Sequence, residues 1–144
     1  MIVHHVHLRP TLDGTRVVDV SIDLTAAQLA AGAHAVRDVT ADRYRVAALE
    51  SIDDILAMRE LTSLADELSA LAAPGAINRL TLTVAGAGRF LGALEDFAGS
   101  CSEGARREGD AEALPVVHGM IDGVADAHGA ALRHALDDSA QLSR

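Results

Sequence analysis

The chain has 144 residues and a mass of 15.0 kDa, a length that suits one domain with its own hydrophobic core. Its net charge of −9 excludes the basic surface from which proteins draw most of their affinity for nucleic acid or anionic lipid. Aromatic residues make up only 2% of the chain, so the core must be built mainly from aliphatic side chains. We therefore expect a single domain over residues 1–144, with neither nucleic acid nor a membrane as its partner.

The amino-terminal region predicts a β-hairpin, because two segments alternate apolar and polar residues in the manner of half-buried strands. They are residues 2–9 and 16–24, and a three-residue loop that ends in Gly14 is predicted between them. The loop decides which residues face each other across the hairpin. Three pairs share the side that we expect to face the core: Leu8 with Val18, Val6 with Val20, and His4 with Ile22.

The other side of the hairpin carries two histidines, because strand side chains alternate between faces. His5 and His7 share this side, and the predicted register places His7 opposite Asp19. Two imidazoles and a carboxylate can bind a divalent metal, so His5, His7 and Asp19 form a candidate metal site. Asp23, diagonal to both histidines, is an alternative third ligand. The competing interpretation is an exposed His7–Asp19 pair without a metal, which is the commoner arrangement in sheets.

The middle of the chain predicts two helices and a short strand. The first helix runs from Thr25 to about Val36, because Thr25 and Gln28 can cap each other's backbone amides. Residues 44–49 are β-prone, so a strand is predicted there. Apolar residues at helical spacing predict the second helix from Ser51 to a Pro-Gly pair, a common stop signal.

The second half of the chain predicts a further strand at residues 79–84, where threonine alternates with leucine and valine. The glycine-rich segment 86–92 follows. We interpret it as a tight strand-to-helix connection and not as a phosphate cradle, because the rest of a dinucleotide fold is absent from the sequence. Residues 99–110 are rich in glycine and charge, which predicts a mobile loop. A long C-terminal helix is predicted from Pro115 to about Asp137.

Two rows of residues recur every four positions on the predicted last helix. His118, Asp122 and Asp126 form a polar row, which we interpret as solvated because one helix rarely closes a metal site. A stripe of small residues runs beside it: Gly119, Gly123 and Ala127. Glycine inside a helix costs about 1 kcal/mol against alanine unless packing offsets it. The stripe therefore predicts close contact with another segment of this chain or with a second copy.

These elements together predict an α+β fold. We expect a small, mostly antiparallel sheet of three or four strands that begins with the hairpin, covered on one face by helices, with a long C-terminal helix. The sequence carries no motif of a common hydrolase, zinc protease or ATPase, and Cys101 has no neighbouring base that would activate it. The amino terminus lacks a basic start followed by a long apolar run, so we expect a cytoplasmic protein.

Our first functional hypothesis is a non-enzymatic interaction or regulatory module without a cofactor, which self-associates as a homodimer or binds another protein. The alternative is a divalent-metal binder or metal-dependent enzyme that uses His5, His7 and Asp19. A third hypothesis is a small-ligand binder with its ligand between sheet and helices, where segment 86–92 contributes backbone amides.

Overall fold

The fold is a three-stranded antiparallel sheet with four helices. A computed structural model describes residues 2–46, 52–71, 77–102, 104 and 106–142. The elements in chain order are β1 (Val3–Pro10), β2 (Arg16–Thr25), α1 (Ala26–Val46), α2 (Ile52–Leu71), β3 (Ile77–Thr83), α3 (Val84–Ser100) and α4 (Asp110–Leu142). The strand order is β1-β2-β3, and both pairs are antiparallel. The predicted α+β class, with its N-terminal hairpin and long last helix, is confirmed.

The central strand shows which side of the sheet the helices cover. Its even-numbered residues from Val18 to Leu24 are apolar, are buried and belong to the same core as the helices. The odd-numbered residues of the three strands lie on the opposite side, and those of β1 and β3 are exposed. We term this second side the open face. An antiparallel sheet can leave one face in water in this way when that face is polar.

The hairpin has the register and the turn that the sequence predicts. All the expected residue pairs are observed, including those of the histidines. The amide of Thr11 donates to the Thr15 carbonyl at 2.9 Å, and Gly14 has φ +83°. The Asp13 carboxylate accepts hydrogen bonds from the Thr11 and Thr15 hydroxyls and from the Thr15 amide. These hydrogen bonds lower the pKa of Asp13 to about 2.

The substitution Gly14→Ala tests the turn. No atom lies within 4 Å of a Cβ added to Gly14, but φ +83° strains any L side chain, so we expect a loss of about 1 kcal/mol. Urea denaturation of both proteins measures the difference. Gly92→Ala is the control, because Gly92 has equal space, lies inside α3 and has no positive φ, so it should keep or gain stability. Equal losses in the two variants would contradict the role of the turn.

The first helix begins as predicted. The Gln28 amide donates to Thr25 Oγ1 at 3.2 Å, and the Thr25 amide donates to Gln28 Oε1 at 2.9 Å. The strand predicted at residues 44–49 is wrong where the structure describes it, because residues 44–46 form the last turn of α1. Residues 47–49 lie outside the described residues, as does the Pro-Gly pair predicted to end α2. α1 as a whole packs against α2, α3 and α4, and tertiary packing of this kind commonly overrides a local β propensity.

The connection from β3 to α3 is tight, but the prediction that segment 86–92 forms it is wrong. α3 begins at Val84, directly after β3, so the glycine-rich segment 86–92 lies inside the helix. The Thr83 hydroxyl caps this helix by accepting the Gly86 amide at 3.0 Å. The Gly86 amide therefore already has an acceptor within the chain and is not free to bind a phosphate.

α4 is longer than the predicted 115–137. It begins at Asp110 and continues to Leu142, with Pro115 inside the helix near its start. The predicted loop 99–110 is correspondingly shorter, because its first two residues belong to α3 and its last to α4. The early start has a tertiary cause, since Asp110 is held by contacts with the loop and with α1 that are described below.

The small-residue stripe of α4 packs largely within the chain. A Cβ added to Gly123 would lie 2.7 Å from Ile2 Cβ, so the residue before β1 fills the space that this glycine leaves. Ala127 is fully buried, whereas Gly119 is exposed. The close contact that the stripe predicts is thus made by this chain. The stripe gives no separate support for an interface between copies.

The core between sheet and helices is mostly aliphatic, as the composition requires. Among the described residues, the fully buried aromatic side chains are Phe90 and Phe97. Phe90 packs against Gly32, where an added Cβ would lie 3.3 Å from the ring, so α1 and α3 approach closely. None of the helical segments that the structure describes combines the length and the apolar character of a membrane span.

Candidate functional site

The hairpin histidines lie on the open face, beside acids of β2 and arginines of β1 and β3. Side chains of β1 contact the β2 residue diagonal to them instead of the one directly opposite. His7 Nε2 lies 3.0 Å from Ser21 Oγ, and Arg9 Nε donates to Asp19 Oδ2 at 2.7 Å. The predicted His7–Asp19 side-chain pair is therefore not formed, although the backbone register is correct. Strand twist brings long side chains within reach of diagonal neighbours.

Ser21 is the centre of a polar row that crosses all three strands. Its Oγ lies 3.0 Å from His7 Nε2 and 3.0 Å from Thr81 Oγ1. These neighbours enclose Ser21, which is only 2% exposed. A nucleophilic serine needs an accessible oxygen and amides that can stabilise an oxyanion, but β2 is paired on both sides. The His7–Ser21 contact is therefore structural.

Asp23 lies at the other end of the open face and contacts two basic side chains. Arg79 Nε donates to its Oδ1 at 3.0 Å, and His5 Nε2 is 3.9 Å from its Oδ2. The hydrogen bond from Arg79 lowers the pKa of Asp23, and the same bond raises the pKa of Arg79. Asp23 is therefore ionised at neutral pH and neutralised by Arg79.

The candidate metal ligands share the open face, but their polar atoms are engaged separately. Asp19 is bound by Arg9, whereas His7 and His5 contact other neighbours. Within the described ranges, no three His, Cys, Asp or Glu side chains form a group that could hold a metal ion. A cation bound to Asp19 would first have to displace Arg9. Metal binding by His5, His7 and Asp19 stays a prediction.

Calorimetric titration of untagged protein with zinc tests this prediction. If the site forms, the parent protein binds zinc and a His5→Ala/His7→Ala variant does not. Arg9→Gln should strengthen binding, because it releases the Asp19 carboxylate. His118→Ala/His134→Ala is the matched control, since it removes two exposed histidines of α4. Equal zinc uptake by the parent and the hairpin variant would end the hypothesis.

A second polar cluster, which was not predicted from the sequence, lies where the loop before α4 crosses α1. Asp110 is fully buried, and its Oδ2 accepts the amides of Arg106 and Arg107 at 3.1 and 3.0 Å. His34 Nε2 lies 2.6 Å from its Oδ1, and the Cys101 thiol donates to Oδ2 at 3.8 Å. Burial disfavours the charged carboxylate, but the hydrogen bonds from His34 and the two amides outweigh it and lower the pKa of Asp110.

Two acids of α1 also belong to this cluster, because they bind the arginines of the loop. Arg107 donates to Asp38 and, at 2.6 Å, to Asp42, and Arg106 also donates to Asp42 at 2.6 Å. His34, Asp38 and Asp42 are spaced four apart, so they lie on one side of α1. That spacing, together with the Arg-Arg pair of the loop, was the available sequence signal. We term these five residues and Asp110 the loop cluster.

The remaining sequence candidates show no sign of chemistry. His118, Asp122 and Asp126 are exposed, as expected of a solvated row. Cys101 is 3% exposed, and its burial, together with the nearby Asp110 carboxylate, raises the pKa of the thiol. A buried, protonated thiol is a poor nucleophile.

The two edges of the sheet differ in their protection against pairing with another strand. β1 ends at Pro10, which has no amide proton, and this discourages association; its Arg9 is paired with Asp19 of β2. β3 reads Ile-Asn-Arg-Leu-Thr-Leu-Thr, without proline, and its one charge, Arg79, pairs with Asp23. No strand of the described part of the chain lies along its outer edge. β3 is therefore the edge that is open to a further strand.

A small groove of about 110 Å³ lies beside β3 on the helix side. Its apolar walls are Leu61 and Leu64 of α2 and Leu82 of β3. Glu60 and Arg89, which form an ion pair, also line it. A strand added to β3 would point alternate side chains toward the helix layer beside this groove.

Comparison of the chain with protein-family models, with curated proteins and with solved structures found no match.

Proposed function

We propose that the protein is a non-enzymatic interaction module that self-associates through the outer edge of β3 to form a homodimer. The observation that carries this proposal is the unprotected β3 edge beside an apolar groove. We also propose that it works in the cytoplasm, with which the unpaired Cys101 is compatible. Metal binding at His5, His7 and Asp19 is the weaker proposal, because Arg9 already neutralises Asp19.

β3 is self-complementary about Thr81. When two copies pair antiparallel, Thr81 lies opposite Thr81 and Leu80 of one copy lies opposite Leu82 of the other. The leucines then meet on the helix side, where both grooves lie. Arg79 lies opposite Thr83, so no like charges face each other. The product is a continuous sheet with twofold symmetry, the commonest symmetry of homodimers.

Size-exclusion chromatography with light scattering tests the proposal. We expect the parent protein to be a dimer at micromolar concentration. Thr81→Lys places two ammonium groups opposite each other, so the dissociation constant should rise about tenfold or more, equivalent to 1.4 kcal/mol. Thr81 is exposed, and Ser21 keeps its contact with His7 when the one with Thr81 is lost, so this variant should keep its fold.

Val3→Lys is the matched control, because Val3 is 50% exposed on the same face but belongs to the opposite edge strand. It should leave the dimer intact. A monomeric parent protein would contradict self-association. A dimer weakened equally by both substitutions would contradict the β3 interface while leaving self-association standing.

A further inference from the structure

A second groove, of about 320 Å³, runs between α1 and the start of α4. Small apolar residues form most of its walls: Ala27, Ala30 and Ala31 of α1, and Ala113 and Val116 of α4. Its polar side chains are His34 and Glu112. We term it the alanine groove. Its size is that of a small-molecule site, and its mostly apolar lining with few polar groups is typical of one.

The contact of His34 with Asp110 determines what His34 offers to the groove. Its Nε2 lies 2.6 Å from Asp110 Oδ1, and an ionised carboxylate can only accept a hydrogen bond. In the neutral form of the imidazole the proton is therefore on Nε2, and Nδ1 is an acceptor. No residue in the described part of the chain donates to Nδ1, and the side chain is 29% exposed.

Gly109 leaves the Nδ1 edge of this ring uncovered. A Cβ on Gly109 would lie 3.0 Å from His34 Cε1 and 3.3 Å from its Nδ1. The φ of +89° favours glycine independently, but the missing side chain also keeps Nδ1 within reach of a ligand. A buried carboxylate that orients an imidazole, with the second nitrogen accessible, is a common arrangement in binding sites.

Charge identifies the kind of group that fits beside His34. Glu112 lines the groove, and no arginine does. Asp110 and Glu112 both lie in the first turn of α4, where they offset the positive end of the helix dipole. The chain's net charge of −9 also attracts cations. The groove therefore favours a cation over an anion. A divalent metal ion fits poorly, because it would find two ligands here and make no use of the apolar walls.

We propose that the alanine groove binds a small organic amine. The protonated amino group donates hydrogen bonds to His34 Nδ1 and to the Glu112 carboxylate, and the apolar body of the ligand packs against the alanines. An ammonium group has three donors and no acceptor, which matches two acceptors in an otherwise apolar groove. This site is independent of the β3 edge and of self-association.

NMR titration of ¹⁵N-labelled protein with three probes of the same ring size tests the proposal. Benzylamine should shift the amide signals of the groove residues in a saturable manner. Benzyl alcohol should bind about tenfold more weakly, because it lacks the charge-assisted hydrogen bonds. Benzoate should cause no saturable shift, because Glu112 repels it.

Two variants test whether benzylamine binds through Glu112 or responds only to the net charge of the protein. Glu112→Gln removes the charge and keeps the shape, so it should weaken benzylamine binding about tenfold and leave benzyl alcohol unchanged. Asp122→Asn changes the net charge equally at an exposed position of α4 outside the groove, and should leave benzylamine affinity unchanged. Equal affinities for the three probes, shifts outside the groove, or no effect of Glu112→Gln would each overturn the proposal.

Discussion

Asp110→Ala is expected to lower the free energy of unfolding by about 3 kcal/mol. The substitution removes the acceptor of two backbone amides, of the His34 ring and of the Cys101 thiol, all near the start of α4. Buried donors that lose their only acceptor keep their full desolvation cost. Urea denaturation followed by circular dichroism measures the change.

Asp122→Ala is the control for this substitution, because Asp122 is exposed on the same helix and should change stability by less than about 0.5 kcal/mol. Lowering the pH provides a second check. The pKa of Asp110 is lower in the folded state than its ordinary value of 3.8, so its contribution is complete above that value and is lost as the pH falls below it. Asp110→Asn should flatten this dependence. Asp110→Ala with no larger loss than Asp122→Ala would refute the role of the loop cluster.

The features that the sequence predicted correctly are those determined by near neighbours. The hairpin register follows from the length of one turn, from Gly14 and from strict alternation on either side of it. The start of α1 follows from two residues three positions apart, Thr25 and Gln28. In both places the propensity, the hydrogen bonds and the pattern of apolar residues favour the same structure, so local reasoning suffices.

The features that it missed depend on residues far apart in the chain. Residues 44–46 have a strand-like composition but continue α1, a helix that packs against α2, α3 and α4. α4 begins at Asp110 because of contacts with His34, which is 76 positions away. Proline is common in the first turn of a helix, so Pro115 is a reasonable place to predict its start, but a local preference contains no information about such contacts. Tertiary interactions override local signals at both places.

On the open face, too, the sequence predicted the features that depend on near neighbours and missed those that depend on side-chain contacts between strands. Alternation correctly separated His4 from His5 and His7, because a strand has only two faces. The partners of His7 and Arg9 depend on side-chain length and on sheet twist, neither of which the register contains. The sequence could therefore propose Asp19 as a ligand but could not show that Arg9 occupies it.

Phe97→Ala is expected to cost about 4 kcal/mol of stability, because it removes one of the largest fully buried side chains. Ala and Leu side chains dominate this core, and the small alanines cannot extend into the space that a lost ring leaves. Domains of this size are typically stabilised by about 5–15 kcal/mol, so the variant should still fold at neutral pH. Phe97→Leu, which keeps much of the volume, should lose less than half as much in urea denaturation. Equal losses would contradict the cavity explanation.

The effect of Phe97→Ala should also reach the loop cluster. The Phe97 ring lies edge-on to His34, with 5.7 Å between ring centroids and 85° between planes, and His34 in turn holds Asp110. Without the ring, His34 loses the packing that orients it toward the carboxylate. Phe97→Ala and Asp110→Ala together should then cost less than the sum of their separate effects, by at least about 0.5 kcal/mol. Strict additivity would show that core packing and the loop cluster stabilise the fold independently.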